Sequence, residues 1–123
     1  MESWNIVLVD DDAAVLQVHT YLLDSLGHKV TPFDSPDSAL EFIADSNEVD
    51  MLITDFKMPG MDGMELISKV RKTHPSLPTL VVSGYVGDKS FFEAARFHRA
   101  GLMSKPVRCQ QISDYIESSI EVS

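Results

Sequence analysis

Short apolar runs alternate with amphipathic stretches along the whole chain. Ile6-Val7-Leu8-Val9, Met51-Leu52-Ile53-Thr54 and Leu80-Val81-Val82-Ser83 are continuous and rich in β-branched residues. Runs of this length suit strands covered on both faces, as in a parallel sheet. Val30-Thr31-Pro32-Phe33 reads as a fourth strand. Its proline has no N–H for a ladder, which places it at an edge. Leu102-Met103-Ser104 is a shorter fifth strand. Helical patterns lie between the runs. Val15, Val18, Leu22, Leu23 and Leu26 recur at helical spacing, and Gly27 follows as a C-terminal stop. Ser35-Pro36-Asp37 is a cap with proline at the first helical position, leading to an inner face of Ala39, Leu40 and Ile43. Asp62 with Glu65 has capping-box spacing before Leu66, Ile67 and Val70. A fourth helix around Ser90 to Phe97 is apolar on more than one side. A fifth, from about Val107 to Ile120, carries Ile112, Tyr115, Ile116 and Ile120 on one side.

Five strand–helix units predict an α/β domain: one parallel sheet with helices on both faces and right-handed crossovers. The 123 residues make one domain over 1–123, long enough to build a core without staples. Cys109 is the single cysteine, so no intramolecular disulfide and no Cys-based zinc site can form, and a reducing compartment fits best. Ten Lys/Arg against nineteen Asp/Glu give a formal charge of −9. Such a surface repels nucleic acid and anionic membranes, which need a basic footprint. No apolar run has the length of a membrane span, and the first residues lack the basic region of a secretory signal. A cytoplasmic location is the expectation.

In open parallel sheets, ligands bind at the carboxyl ends of the strands. Here the first strand ends in Asp10-Asp11-Asp12, the third in Asp55, the fourth in Ser83-Gly84, and the fifth leads to Lys105-Pro106. Each feature alone has a plain structural explanation: a solvated turn, a helix cap, a strand end, a surface lysine. Together they offer several carboxylates, a hydroxyl and an ammonium to one edge. Clustered carboxylates raise one another's pKa unless a cation sits among them. Mg²⁺ suits such oxygen ligands and commonly bridges to a phosphate. A carboxylate can then act as nucleophile in phosphoryl transfer, with the remaining groups supplying charge.

The segments Ile6 to Asp12, Leu52 to Leu66, Val82-Ser83-Gly84 and Lys105-Pro106 closely resemble a response-regulator receiver domain, over about residues 5 to 120. The resemblance implies a flavodoxin-like (βα)5 fold with strand order 2-1-3-4-5. It implies Asp55 as phosphoacceptor and Asp10 and Asp11 as the acidic pair, with Asp11 ahead of Asp10 as direct Mg²⁺ ligand. Asp55 and the backbone carbonyl of Lys57 complete the protein ligands. Asp12 matches an acidic position that is not a principal ligand. Ser83 matches the switch hydroxyl, Gly84 the small residue beside it, and Lys105 the phosphoryl-binding lysine, whose bond to Pro106 is expected to be cis. A histidine kinase or histidine phosphotransfer protein would donate the phosphoryl group, and a downstream protein or output domain would read the change. The chain would be a monomer or a phosphorylation-dependent dimer that also hydrolyses its own phosphate. Whether it stands alone or belongs to a longer regulator or hybrid kinase is left open.

One departure concerns the switch. The family usually has Tyr or Phe three residues before the lysine, and Leu102 occupies that position. Signalling then rests on Ser83 and backbone shifts, or on a neighbouring aromatic such as Tyr85. Tyr85 and Lys57 are expected to tune phosphate lifetime. The Gly-Ala usually found before the fifth strand is also altered near Phe97-His98-Arg99. A pseudo-receiver acting only in protein contacts is the alternative. An aspartate-nucleophile phosphatase of the haloacid dehalogenase type wants a second acid two residues after the nucleophile; Lys57 stands there after Asp55, Asp10-Asp11-Asp12 does meet the spacing, and the compact size and the Asp55 block make the fit poor. A flavin binder is disfavoured by three acids where its phosphate loop would be. His19, His28, His74 and His98 are scattered and read as surface or helix-end residues.

Overall fold

The inner strands are apolar on both sides because helices cover both faces of the sheet. The computed structural model describes residues 3–84, 89–105 and 109–121. In chain order the elements are β1 (Asn5–Val9), α1 (Ala13–Ser25), β2 (Lys29–Phe33), α2 (Pro36–Ala44), β3 (Met51–Asp55), α3 (Gly63–Thr73), β4 (Thr79–Ser83), α4 (Lys89–Phe97), β5 (Gly101–Ser104) and α5 (Cys109–Glu121). All strands are parallel, in the order β2-β1-β3-β4-β5. Val7, Val9, Leu52 and Val81 face a core shared with α2, α3 and α4 through Ala39, Ile43, Leu66, Ile67, Val70, Phe91 and Ala95. Ile6, Leu8, Met51, Ile53, Leu80 and Val82 face the other side, against Leu16 and Leu23 of α1 and Ile112 and Ile116 of α5. Fully burying each such aliphatic side chain is worth about 1.5–3 kcal/mol, so the two-period alternation of the strands drives both cores at once.

The expected punctuation is present. Pro32 lies exposed on β2, at the sheet edge. Asp12 caps α1 by accepting from the Ala14 and Val15 N–H groups, and Gly27 follows that helix at φ 97°. Pro36 opens α2, although Ser35 makes no side-chain cap bond. Asp62 accepts from the Glu65 N–H at 2.9 Å and starts α3.

Two expectations need correction. The α1 stripe of Val15, Val18, Leu22, Leu23 and Leu26 is buried only in part: Leu23 faces the sheet and Leu26 packs against the same core, but Val18 is 55% exposed and Leu22 is exposed, and Leu16, outside the stripe, is buried instead. Leu16 and Leu23 are seven residues apart, two turns along one face, and the remaining apolar residues lie round the helix from them. His28 is not a surface residue but 2% exposed, at the start of β2. The start of the fifth helix at Val107, together with Tyr85 and Pro106, falls outside the described residues. Among the described residues no helix is long and apolar enough to cross a membrane.

Beyond Phe97 the chain turns through Arg99, at φ 55°, into β5. Arg71 at the end of α3 fastens this turn. Its Nε donates to the His98 carbonyl at 3.1 Å, and its other nitrogens donate to the Leu77 carbonyl and to Thr79 Oγ1. Arg99 in turn donates to the Pro75 carbonyl at 2.6 Å. The end of α4 is thereby tied to the α3–β4 connection.

His28 supplies a pH signature. Its Nε2 lies 3.2 Å from Ser113 Oγ on α5, and its buried Nδ1 has no hydrogen-bond partner among the described residues. A neutral ring protonated on Nε2 fits this pairing, since it leaves only a lone pair unmet. Burial holds the imidazole below its ordinary value of 6.5, and the Glu117 carboxylate opposes that shift. Because the unfolded chain takes up the proton first, the associated stability is complete above about pH 6.5. It is lost as pH falls from there through the lowered folded value. Urea melts between pH 7.5 and 5.5 should therefore show a shallower loss of stability in His28→Leu than in the wild type.

Candidate functional site

Parallel pairing brings the ends of β1, β3, β4 and β5 to one edge, and the groups that follow them meet there. Asp10 directly continues β1, its N–H donating to the Phe33 carbonyl at 3.1 Å. Asp55 is the last residue of β3. Ser83, the last residue of β4, is buried and faces Ser104 in register. Its carbonyl accepts the Lys105 N–H at 2.8 Å, so the ladder between β4 and β5 delivers Lys105 to the site.

Carboxylate oxygens of Asp10, Asp11 and Asp55 lie within 4.8 Å of one another. Lys105 Nζ is 3.2 Å from Asp55 Oδ2 and 3.7 Å from Asp10 Oδ2. The opposite oxygens are held by the backbone: Asp10 Oδ1 accepts the Asp12 N–H at 2.9 Å, and Asp55 Oδ1 accepts the Phe56 N–H at 2.8 Å. Both carboxylates are thus turned so that Oδ2 faces the ammonium. Asp10 is 5% exposed. Burial raises its pKa, the Asp12 N–H and Lys105 counter this, and Asp55 and Asp11 add to it. Among the described residues, three acids face the Lys105 ammonium, and an all-oxygen donor set at this spacing suits a hard divalent cation.

The loop after β3 is shaped by two glycines. Gly60 takes φ 83°, a conformation that L side chains rarely adopt. Gly63 donates to the Phe56 carbonyl at 2.8 Å, and a Cβ there would lie 2.5 Å from the Asp55 carbonyl oxygen. The first turn of α3 can press against the Asp55 peptide only because Gly63 has no side chain.

The acids and lysine expected from the sequence therefore converge: Asp10, Asp11, Asp55 and Lys105 share one pocket. Asp12 is occupied as a helix cap. Lys57 is exposed two residues past Asp55. Among the described residues, a Cβ on Gly84 would meet nothing within 4 Å. Leu102 is half-buried against the core shared with α2, α3 and α4. The roles of the Phe56 N–H and of Gly63 were not read from the sequence. The Asp62-Gly63 step was a signal for the second, but only the approach of α3 to Asp55 makes the glycine necessary.

A family model described as the response regulator receiver domain matches residues 6–117. The chain belongs to this family. The receiver domain is 32% identical over 120 residues to the sensor kinase CckA of Brucella abortus, covering 97% of this chain and 13% of that protein. It is 30% identical over 116 residues to the transcriptional regulatory protein FixJ of Bradyrhizobium diazoefficiens, covering 94% of this chain and 56% of that one. The chain therefore spans about half or less of the length of these relatives. Among solved structures it resembles a response regulator receiver domain protein from Clostridium thermocellum, with TM-score 0.90, 28% identity and coverage of 97% and 95%. It also resembles the crystal structure of FixJ-N, with TM-score 0.85, 28% identity and coverage of 98% and 96%. The five-stranded order and the helices on both faces are those of the receiver fold.

Two substitutions separate the site's electrostatics from its packing. Asp10→Asn removes a desolvated charge while keeping an acceptor for the Asp12 N–H. In metal-free buffer at pH 7 it should raise the thermal midpoint by several degrees, as read by circular dichroism. Gly63→Ala forces the Asp55 peptide and α3 apart and should cost about 1–3 kcal/mol in a urea melt.

Proposed function

We propose that residues 1–123 act as one receiver unit whose Asp55 accepts a phosphoryl group. The observation that carries this reading is the 3.2 Å contact between Asp55 Oδ2 and Lys105 Nζ beside two further acids. Asp10, Asp11, Asp55 and the backbone carbonyl of Lys57 would hold Mg²⁺. When bound, Mg²⁺ supplies positive charge to the phosphoryl oxygens and offsets the repulsion among the carboxylates.

The chain's own groups define the transfer. The Phe56 N–H occupies Asp55 Oδ1, which leaves Oδ2 to attack phosphorus. The phosphorus–nitrogen bond of a phosphohistidine breaks, the bond from phosphorus to Oδ2 forms, and the released imidazole takes a proton from solvent. Lys105 moves its ammonium from the carboxylate to the phosphoryl oxygens, where positioned charge is worth most. The Ser83 hydroxyl donates to one of those oxygens. Attack of water on phosphorus later breaks the same bond, releases inorganic phosphate and restores the Asp55 carboxylate. This is chemistry of the chain upon itself rather than turnover of a separate substrate.

The donor is a histidine kinase or histidine phosphotransfer protein, and the reader is a downstream protein or output domain, in the cytoplasm. One feature supports a protein donor. The exposed apolar residues Val18, Tyr21 and Leu22 lie on α1, the helix that begins at Asp12 immediately after the acidic pair.

Incubation with acetyl phosphate and Mg²⁺, followed by intact mass spectrometry, tests the reading. A single phosphoryl adduct is expected in the wild type and none in Asp55→Asn or without Mg²⁺. Lys105→Ala should slow its formation by about 10²-fold. An adduct that persists in Asp55→Asn, or a wild type that takes neither phosphoryl nor beryllofluoride, would overturn it.

A further inference from the structure

The route from the pocket to the helices starts at Phe56. This residue is held at both ends of its backbone: its N–H donates to Asp55 Oδ1 at 2.8 Å, and its carbonyl accepts the Gly63 N–H at 2.8 Å. Its ring meets the ring of Phe91 edge-on, with centroids 4.7 Å apart and planes at 78°. Phe91 belongs to α4, is 8% exposed, and makes a second edge contact with Phe92 at 5.7 Å. Among the described residues, this is the ring pair that joins the Asp55 segment to α4. Leu102 on β5 packs against the same core but has no ring to offer.

A carboxylate that gains a phosphoryl group changes the charge and the hydrogen bonding of both its oxygens. The Phe56 N–H must follow Oδ1 or lose its partner. Because the Gly63 bond pins the carbonyl of the next peptide, on the far side of the Phe56 Cα, the adjustment falls on the Phe56 side chain and on the ring it abuts. Well-packed interiors shift between discrete arrangements rather than deform smoothly, so the displacement is passed to Phe91. The far end of α4 is meanwhile tied down by Arg71 through the His98 carbonyl. A push at Phe91 therefore tilts a helix that is anchored at its C-terminal end.

We propose that Phe56 is a positioning residue for the Asp55 carboxylate and that the Phe56–Phe91 contact couples Asp55 to α4. The coupling is reciprocal: a partner that shifts α4 changes the reactivity of Asp55 by the same factor by which phosphorylation changes that partner's binding. This inference rests on Asp55 being the phosphoacceptor.

The test is a double-mutant cycle on Phe56→Leu, Phe91→Leu and the pair. Phe91→Tyr, which keeps the ring, is the rescue variant, and Phe97→Leu, at an 81% exposed position on α4, is the control. Two quantities are read: the rate of Asp55 labelling by acetyl phosphate with Mg²⁺, and the amide shifts of Lys89 to Phe97 on adding beryllofluoride. Each single Leu variant should change the labelling rate by about two- to tenfold, the range set by one aromatic contact, and the double variant should do no more than either. The α4 shifts should shrink in the Leu variants while those at Asp10 to Asp12 persist, and Phe91→Tyr and Phe97→Leu should match the wild type. Additive rate effects with undiminished α4 shifts would overturn the link alone. A wild type that takes neither label would overturn the phosphoacceptor reading and the link with it.

Discussion

Lys105 stands between Asp10 and Asp55, and its single ammonium must serve both. Asp10 is nearly sealed from water and Asp11 adds a third carboxylate, so among the described residues the carboxyl edge of the sheet gathers more acids than cations. That imbalance explains several features at once. The backbone N–H groups of Asp12 and Phe56 are spent on carboxylate oxygens. Asp10 has a raised pKa, chiefly because it is buried. The site is also primed to gain more from an added cation than a neutral pocket would. Stability is given up locally at this edge and recovered from the two cores beneath it.

Those cores make the edge rigid enough to matter. β1, β3 and β4 are buried on both faces, so a shift of one strand by one residue would exchange the two cores' side chains. Their ends, and with them Asp10, Asp55 and Ser83, are therefore fixed relative to one another to within the tolerance of side-chain packing. The loops carry the adjustable parts. Gly63 lets α3 sit directly on the Asp55 peptide, which shortens the path from the carboxylate to a helix. Arg71 performs the opposite service at the other end of the molecule, gripping the α4–β5 turn where Arg99 takes a left-handed conformation. A helix held at one end and abutted by an aromatic ring near the other is suited to rotate rather than translate.

Much of the fold was legible in the order of the residues. Continuous β-branched runs at regular spacing suit a doubly covered sheet, Pro32 marks an edge, and Asp62 with Glu65 marks a helix start. The site was legible for the same reason: in a parallel sheet every strand ends on one side, so the polar residues after the apolar runs had to converge. Local pattern failed where two faces competed. The α1 spacing named Val18 and Leu22 beside Leu23, but the sheet accepted Leu16 with Leu23, because the choice between adjacent helix faces depends on where the helix lies across β1 and β2. His28 looked like a helix-end residue, and its burial against Ser113 depends on α5 arriving 85 positions later in the chain.

The residue order alone thus determined the class of fold and the edge at which Asp10, Asp11, Asp55, Ser83 and Lys105 gather, since these follow from periodicity and from strand direction. Tertiary structure alone decided which oxygen of each carboxylate faces Lys105, why position 63 must lack a side chain, and that Phe56 reaches Phe91. Those are distances between segments far apart in sequence, set by how helices seat on a twisted sheet, and no local pattern encodes them.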